Sequence, residues 1–215
     1  MVKVAKKHSD RVYDLVVERI QRGDLGREDR LVDVAIAADL GLSRMPVRDA
    51  LMRLVHEGYL ERSTRGFMLP NLTRREILEV FEIRRLLEPR AAALAARSIT
   101  REQLADMEAA VAEALEIIET GDGPRFFRLS ERFRNGWLSA VSNLTLQQTI
   151  QRYLAQVQAV RLATMGNRST LKIIVAGQRE LLAAFSAHDS VAAADRILRF
   201  VIEGEAAYLA AVPEE

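Results

Sequence analysis

Two arginines of this sequence, Arg44 and Arg48, stand one helical turn apart at the start of a segment with helical apolar spacing. A guanidinium group fits the O6 and N7 atoms of guanine, and a helix in the major groove presents its first residues to base edges. Ser43 precedes them and is a candidate helix cap and phosphate ligand. Arg65 and Gly66 fall on a predicted turn that could reach the DNA backbone or minor groove. Most exposed arginines only solvate a helix face. Whether Arg44 and Arg48 contact DNA therefore depends on the elements that surround them.

Three short segments carry apolar residues at helical spacing, over about 9–22, 31–40 and 43–55. The second segment stops at Gly41, a residue suited to a left-handed helix end. Its apolar stripe consists of Leu31, Val34, Ala35 and Ala38. The stripe of the third segment, away from the arginines, consists of Val47, Leu51, Leu54 and Val55. A short helix, a tight turn and a second helix with outward arginines predict a helix-turn-helix.

A short hairpin is predicted after the third segment. Residues 59–62 and 67–69 flank the polar tip Ser63-Thr64-Arg65-Gly66, and Pro70 closes the second strand. The order helix, helix-turn-helix, hairpin is typical of a winged-helix domain, which we place at residues 1–70. The presence of such a domain favours the interpretation that the exposed arginines contact DNA and do not simply solvate a helix.

From residue 71 onwards the pattern is helical. Residues 73–76 and 100–103 have the spacing of capping boxes, and each opens an amphipathic segment. Further helical patterns cover about 125–141, 145–164, 171–187 and 190–211. Residues 71–215 therefore predict a bundle of six or seven helices, each too amphipathic to stand alone. The expected fold class is mostly α: an N-terminal winged helix-turn-helix with a small β-hairpin wing, followed by an all-α bundle.

Composition excludes several classes of protein. The chain of 215 residues has 31 basic and 30 acidic side chains, three histidines and no cysteine. Without cysteine there is no disulfide framework, iron–sulfur cluster or cysteine nucleophile. The first residues lack the apolar core of a signal peptide, and no stretch reaches the ~20 apolar residues of a membrane span. We expect a cytoplasmic protein without membrane contact.

Two long stretches of the sequence resemble one family. The stretch LGLSRMPVRDALMRLVHEGYLERSTRGFML at 40–69 is similar to the winged-helix signature of the GntR family of bacterial transcription regulators. VFEIRRLLEPRAAALAA at 80–96 resembles the opening of the helical FCD effector-binding domain, and weaker similarity continues to the final helix. The resemblance implies a homodimer that binds double-stranded palindromic operator DNA.

The resemblance also extends to single residues, at the start of the second helix of the helix-turn-helix and on the wing. In related regulators DNA is touched by the residues that match Ser43, Arg44, Arg48 and Gly66. Met45 and Pro46 stand at the same DNA-facing end, where relatives often carry hydroxyl or other small residues. We include both among the DNA-binding candidates, and the operator sequence cannot be transferred from the family.

Many FCD domains hold a divalent metal with one aspartate and three histidines. By resemblance, these four positions fall on Ser130, Arg134, Gln178 and Phe200 of this sequence, and none of them matches. The helical region also contains a single histidine, His188, beside a predicted helix break, whereas such a site needs several imidazoles or inward carboxylates. We therefore predict no metal and no other cofactor.

Cationic and polar residues stand at or near these positions. Arg84 and Arg134 fall within apolar stripes, and a guanidinium that faces a bundle interior must find an anion or a set of acceptors. Relatives bind carboxylate-bearing metabolites, so we expect an anionic effector to be bound by Arg84, Ser130, Arg134 and Gln178. The alternative is a closed cavity whose arginines form internal salt bridges with Glu82, Glu88 or Glu131.

These expectations describe a dimeric DNA-binding transcription regulator, a repressor, that senses a small organic acid or other anionic or acyl ligand without metal. Two alternatives stay open. A ligand-independent DNA-binding or protein-interaction module would have its effector cavity filled by side chains. An all-α enzyme with an accessory winged helix is disfavoured, because the helical region offers no nucleophile–base pair, paired catalytic carboxylates or phosphate loop. We expect no enzymatic activity.

Overall fold

The computed structural model describes residues 7–26, 28–119, 122–156 and 168–211. This part of the chain is mostly helical with one two-stranded antiparallel sheet, which confirms the predicted fold class. The chain forms two compact units, Met1–Leu72 and Thr73–Glu215, and each has its own apolar core.

In its described residues, 7–26 and 28–72, the first unit consists of three helices and the hairpin. Their bounds are α1 (His8–Arg22), α2 (Asp33–Leu40), α3 (Arg44–His56), β1 (Glu61–Ser63) and β2 (Gly66–Met68). The strands pair antiparallel, with Arg62 opposite Phe67. α3 packs against α1 and α2, and its apolar face supplies the centre of this core.

The predicted apolar stripe of α2 is wrong. Leu31 precedes the helix and pairs with Phe67 of β2 through backbone hydrogen bonds of 2.7 and 2.9 Å. Val34 is 54% exposed, and the buried residues of the helix are Asp33 and Ala37. Because the backbone of Leu31 pairs with the wing, α2 begins at Asp33, two residues after Leu31. The charged side chain of Asp33 then occupies an inward position.

Gly66 on the wing has a structural reason to be glycine. Its φ angle is +129°, a conformation that residues with a Cβ atom rarely adopt. An added Cβ atom would lie 2.6 Å from the carbonyl oxygen of Leu31. The hairpin therefore needs this glycine to approach Leu31, independently of any contact with DNA.

The second unit contains six helices within the described residues. They are α4 (Arg74–Ser98), α5 (Arg101–Ile118), α6 (Gly123–Leu138), α7 (Leu144–Gln156), α8 (Arg168–Ser186) and α9 (Ser190–Ala211). Both predicted capping boxes are present, at the starts of α4 and α5. The predicted helix 145–164 extends beyond α7 only into residues outside the described part of the chain. None of the described helices combines the length and apolar character needed to cross a bilayer.

Close packing of α5 on α6 depends on a glycine. An added Cβ at Gly136 would lie 2.5 Å from Cγ of Met107, a residue with no exposed surface. The neighbouring core is rich in large side chains, including Phe126, Phe127, Phe133, Trp137 and Phe185. This packing fixes α6, which carries two of the predicted ligand-binding residues.

We expect Gly136→Ala to lower thermal stability, although alanine favours a helix over glycine by about 1 kcal/mol. The methyl group has to displace buried Met107, and overpacking a core typically costs about 1–3 kcal/mol. Gly204→Ala is the matched control, because its added Cβ meets only Phe81, at 3.6 Å. Melting temperatures should fall for Gly136→Ala and hold or rise for Gly204→Ala. A rise for both variants would contradict the close α5–α6 packing.

Candidate nucleic-acid interface and ligand cavity

Helix α3 has an apolar face and a basic face. Val47 and Leu51 have no exposed surface, whereas the side chains of Arg44 and Arg48 are 57% and 50% exposed. A left-handed residue, Gly41, ends α2 and allows the tight turn into α3. The helix-turn-helix therefore places both arginines together at the N-terminal end of its second helix.

A buried carboxylate holds these arginines. Asp33, in the first turn of α2, accepts a hydrogen bond of 2.9 Å from Arg44 Nε, and its Oδ2 atom lies 4.0 Å from Arg48 Nη1. The hydrogen bond from Arg44 lowers the pKa of Asp33, and the positive charges of Arg44 and Arg48 act in the same direction. Because Arg44 uses Nε for this bond, its two terminal nitrogens keep donors for another acceptor. Sequence reasoning missed Asp33.

The other DNA-binding candidates lie around the same end of α3 and on the wing. Ser43 occupies the N-cap position, but its side chain makes no capping hydrogen bond, so the suggested cap is absent. Met45 is 67% exposed, and Pro46 stands in the first helical turn, where it costs no backbone hydrogen bond. Arg65 is exposed at the tip of the wing beside Gly66.

Arg53, farther along α3, makes its contacts within the first unit. Its guanidinium carbon lies 4.1 Å from the centroid of the Tyr13 ring, and its Nε donates to Glu57 at 2.8 Å. The Tyr13 hydroxyl also donates to Glu57, and burial together with this bond raises the pKa of Tyr13. This cluster fastens the C-terminal end of α3 to α1.

Four helices of the second unit, α4, α6, α8 and α9, line a cavity of about 340 Å³. The structure brings together in its wall all four residues predicted to bind an effector, Arg84, Ser130, Arg134 and Gln178. Much of the remaining wall is apolar and includes Phe81, Phe133, Trp137, Ile173, Ile174, Leu181, Ile197 and Phe200. The four predicted residues come from three different helices, so tertiary packing assembles them.

Each arginine of the cavity is paired with a glutamate of its own helix. Arg84 Nε lies 2.5 Å from Glu88 Oε1, with side chains 7% and 2% exposed. Arg134 Nη1 lies 3.1 Å from Glu131 Oε1, with side chains 18% and 14% exposed. The sequence left two alternatives, an open pocket with arginines or a closed cavity with internal salt bridges. The structure has the salt bridges and the open cavity together.

Sequence reasoning also missed Arg196, a buried cation beside the cavity. Its guanidinium carbon lies 4.5 Å from the centroid of the Phe200 ring, and its nitrogens lie 3.0 and 3.1 Å from carboxylate oxygens of Glu180 and Glu203. A Cβ atom added at Gly177 of α8 would overlap this guanidinium. Gly177 was the available signal, because glycine inside a helix costs stability relative to alanine and so points to a close contact.

The residues that match the metal ligands of FCD domains do not fit a metal ion. Gln178 donates to Ser130 at 3.0 Å, Arg134 is a cation, and Phe200 has no donor atom. Across residues 7–26, 28–119, 122–156 and 168–211, no group of three or more histidine, aspartate and glutamate side chains could hold a metal. His188 bonds through Nδ1 to the Ala96 carbonyl at 2.8 Å.

Family models match both units. The model for bacterial regulatory proteins of the gntR family matches residues 8–67. The FCD domain model matches residues 79–203, which is more than half of the chain. The first match contains the helix-turn-helix and most of the wing, and the second contains most of the helices that form the cavity.

Three curated relatives are transcription regulators by name. The HTH-type transcriptional regulator McbR of Escherichia coli is 33% identical over 106 residues, 49% of this chain and 48% of McbR. The Nta operon transcriptional regulator of Aminobacter aminovorans is 29% identical over 134 residues, 62% of this chain and 63% of that protein. A probable D-xylose utilization operon transcriptional repressor of Paenarthrobacter nicotinovorans is 30% identical over 139 residues, covering 64% and 61%. The matches therefore span from about half to just under two thirds of these relatives.

The solved structure of E. coli McbR has the same fold. It superposes with a TM-score of 0.83 over 95% of this chain and 98% of that chain, at 24% sequence identity. The fold, the helix-turn-helix with its wing and the two family matches agree with one another. The chain belongs to the GntR family of bacterial regulatory proteins, in the group that carries an FCD domain.

Proposed function

We propose that the protein is a DNA-binding transcription regulator, a homodimer that acts as a repressor on palindromic double-stranded operators. The helical unit senses a small organic acid or another anionic metabolite without a metal. The observation that carries the proposal is the basic end of α3, where Arg44 and Arg48 are exposed beside the buried Asp33. Such a regulator works in the cytoplasm and needs no membrane contact, cofactor or enzymatic activity.

In this proposal the first unit reads DNA through α3 and holds the backbone through the wing. Arg44 and Arg48 bond to guanines in the major groove, and each such pair discriminates by about 1–3 kcal/mol. Met45 and Pro46 supply apolar contacts, for which the thymine methyl group is a suitable partner. Phosphates or the minor groove are contacted by Ser43, Arg65 and Gly66.

The cavity is the proposed sensor, with Arg84, Ser130, Arg134 and Gln178 in its wall. Its volume of about 340 Å³ falls at the lower end of the range of small-molecule sites. This open space counts against the alternative module, whose cavity would be filled by side chains. The guanidinium groups supply the charge that an anionic ligand needs.

Sensing requires that the ligand bind two states of the dimer with different affinity, since equal affinity shifts no equilibrium. We propose that the ligand favours the state with lower operator affinity and so relieves repression. The relative from P. nicotinovorans is a probable repressor by name, which supports this direction. The palindromic operator follows from the two-fold symmetry of a homodimer.

The DNA-binding role predicts different effects for matched arginine substitutions. Selection from a random duplex library should recover a palindromic site for the wild type. Arg44→Ala and Arg48→Ala should each weaken binding to that site by about 1–3 kcal/mol and relax base preference at guanines. Arg22→Ala, at an exposed ion pair of α1, removes the same charge elsewhere in the unit. Fluorescence anisotropy at fixed salt measures the affinities, and equal losses for all three variants would contradict base readout.

Asp33 should make stability depend on pH. Its pKa is lowered in the folded state, chiefly by the hydrogen bond from Arg44. The stabilisation is therefore present above the ordinary carboxyl pKa of about 4 and is lost as pH falls through the lower, folded value. We expect Asp33→Asn to lose about 1 kcal/mol of unfolding free energy at pH 7. The difference should begin to narrow as pH falls below about 4 and should close only below the folded-state pKa of Asp33. Asp49→Asn, at an exposed position of α3, is the control in these unfolding measurements. A stability difference between the wild type and Asp33→Asn that stays constant with pH would contradict the role of the Asp33–Arg44 ion pair.

The thermal stability of the protein should not depend on metal. Treatment with EDTA, or addition of Zn²⁺ or Ni²⁺, should leave the melting temperature unchanged, because Arg134 and Phe200 stand where FCD domains carry metal-binding histidines. A variant with Ser130→Asp, Arg134→His, Gln178→His and Phe200→His rebuilds the ligand set and is the positive control. A metal at 100 times its dissociation constant should stabilise that variant by roughly 2.7 kcal/mol. Metal-dependent stabilisation of the wild type would contradict the metal-free site.

A further inference from the structure

We propose that the cavity binds a small monocarboxylate with an apolar, ring-sized body, and that this carboxylate takes the place of Glu131 at Arg134. This ligand class narrows the proposed ligand-sensing function and rests on it. The supporting observations are the size and apolar wall of the cavity, its balanced charges, the unequal burial of its ion pairs and the direction of one hydrogen bond.

The size and wall of the cavity determine the body of the ligand. An apolar cavity of about 150 Å³ holds benzene, so about 340 Å³ has room for a ring with a short substituent. Phe81, Phe133, Trp137 and Phe200 contribute aromatic rings from three helices. A ring-sized apolar body buries well against them. Polar groups of the wall are already paired with one another, as in Arg84–Glu88 and Gln178–Ser130, so the hydroxyls of a sugar acid would lose hydrogen bonds to water and compete for these partners.

The charges of the wall limit the ligand to a single negative charge. Two arginines, Arg84 and Arg134, face two glutamates, Glu88 and Glu203, in the lining. A ligand with several carboxylates would meet repulsion from the glutamates as well as attraction from the arginines. A single carboxylate needs only one guanidinium group, provided that this arginine can exchange the glutamate of its internal salt bridge for the ligand.

Burial decides which arginine exchanges its partner. An anion at Arg84 would leave Glu88, which is 2% exposed, charged and without its partner inside the bundle, at a high cost. Glu131 is 14% exposed and lies three residues before Arg134 on α6. Because Glu131 keeps more exposed surface than Glu88, turning it toward solvent when another carboxylate binds costs less than leaving Glu88 unpaired. Exchange at Arg134 preserves the charge balance of the interior.

A second donor lies within reach of a carboxylate at Arg134. Ser130 precedes Arg134 by one helical turn on α6, and both line the cavity. Ser130 Oγ accepts a hydrogen bond of 3.0 Å from Gln178 Nε2. Because the oxygen is the acceptor there, the hydroxyl proton can be donated to a ligand oxygen. Arg134 and Ser130 then bind the two carboxylate oxygens, and Gln178 orients the hydroxyl.

The test is calorimetric titration of the full-length protein with phenylacetate, phenylacetamide, gluconate and citrate. Phenylacetate has about the size that the cavity holds, and its amide keeps the shape without the charge. Glu131→Gln removes the competing carboxylate, and Arg134→Gln removes the cation, with Arg134→Lys as a milder second variant. Glu113→Gln is the matched control, because it removes one negative charge from a half-exposed pair with Arg132 away from the cavity.

Phenylacetate should bind more tightly than gluconate, citrate and phenylacetamide. Arg134→Gln should weaken phenylacetate binding at least about tenfold, as expected for losing a charge-assisted hydrogen bond. Glu131→Gln should tighten it by about threefold to tenfold, because the internal competitor is gone. Phenylacetamide should bind equally to all variants, and Glu113→Gln should behave as the wild type does.

Three results would overturn the inference: tighter binding of gluconate or citrate, unchanged or weaker phenylacetate binding by Glu131→Gln, or no binding of phenylacetate. Operator selection on the same protein preparation separates this failure from failure of the proposed function. A preparation that selects a palindromic duplex but does not bind phenylacetate refutes the ligand class alone. A folded preparation that selects no duplex refutes the regulator itself.

Discussion

A charged side chain in the low-dielectric interior of a protein must have a partner of opposite charge, and this constraint shapes both the basic end of α3 and the cavity of the helical unit. Three guanidinium groups are paired with internal carboxylates, as Arg44 with Asp33, Arg84 with Glu88, and Arg134 with Glu131. Each pair holds its arginine in place. In the proposed function this order reduces the entropy lost when Arg44 binds DNA or Arg134 binds a ligand, and at Arg134 the ligand competes with the resident carboxylate.

Burial sets the role that each pair can play. Arg44 is 57% exposed and shares only its Nε with Asp33, so it can gain a DNA partner while keeping the first. Arg84 is almost fully buried with Glu88, so it cannot leave that partner at low cost. Arg134 lies between these limits, with 18% of its side chain exposed, and is suited to exchanging partners. In the proposed function and ligand site, one rule of charge burial gives Arg44 a role in DNA readout, Arg84 a structural role and Arg134 a role in ligand binding.

Local patterns in the sequence predicted the elements of the fold, because helix caps, apolar periodicity and a glycine-ended turn depend on residues close together in the chain. Ser130 and Gln178 were selected by their resemblance to the family's ligand positions, and the structure places both in one wall. Asp33 was missed because an acidic residue in the first turn of α2 gives no sign that the helix-turn-helix brings it to Arg44. Arg196 was missed for the same reason, since its partners lie on α8 and farther along α9. Long-range charge pairing needs tertiary structure, and only that showed that salt bridges and an open cavity coexist.

The most direct test of exchange at a prepared arginine is a crystal structure of the protein with phenylacetate. We expect the ligand carboxylate to accept hydrogen bonds from Arg134 and Ser130, with the Glu131 side chain turned toward solvent and the Arg84–Glu88 pair unchanged. A ligand carboxylate bound to Arg84, or a ligand in the cavity with the Arg134–Glu131 pair intact, would contradict the account.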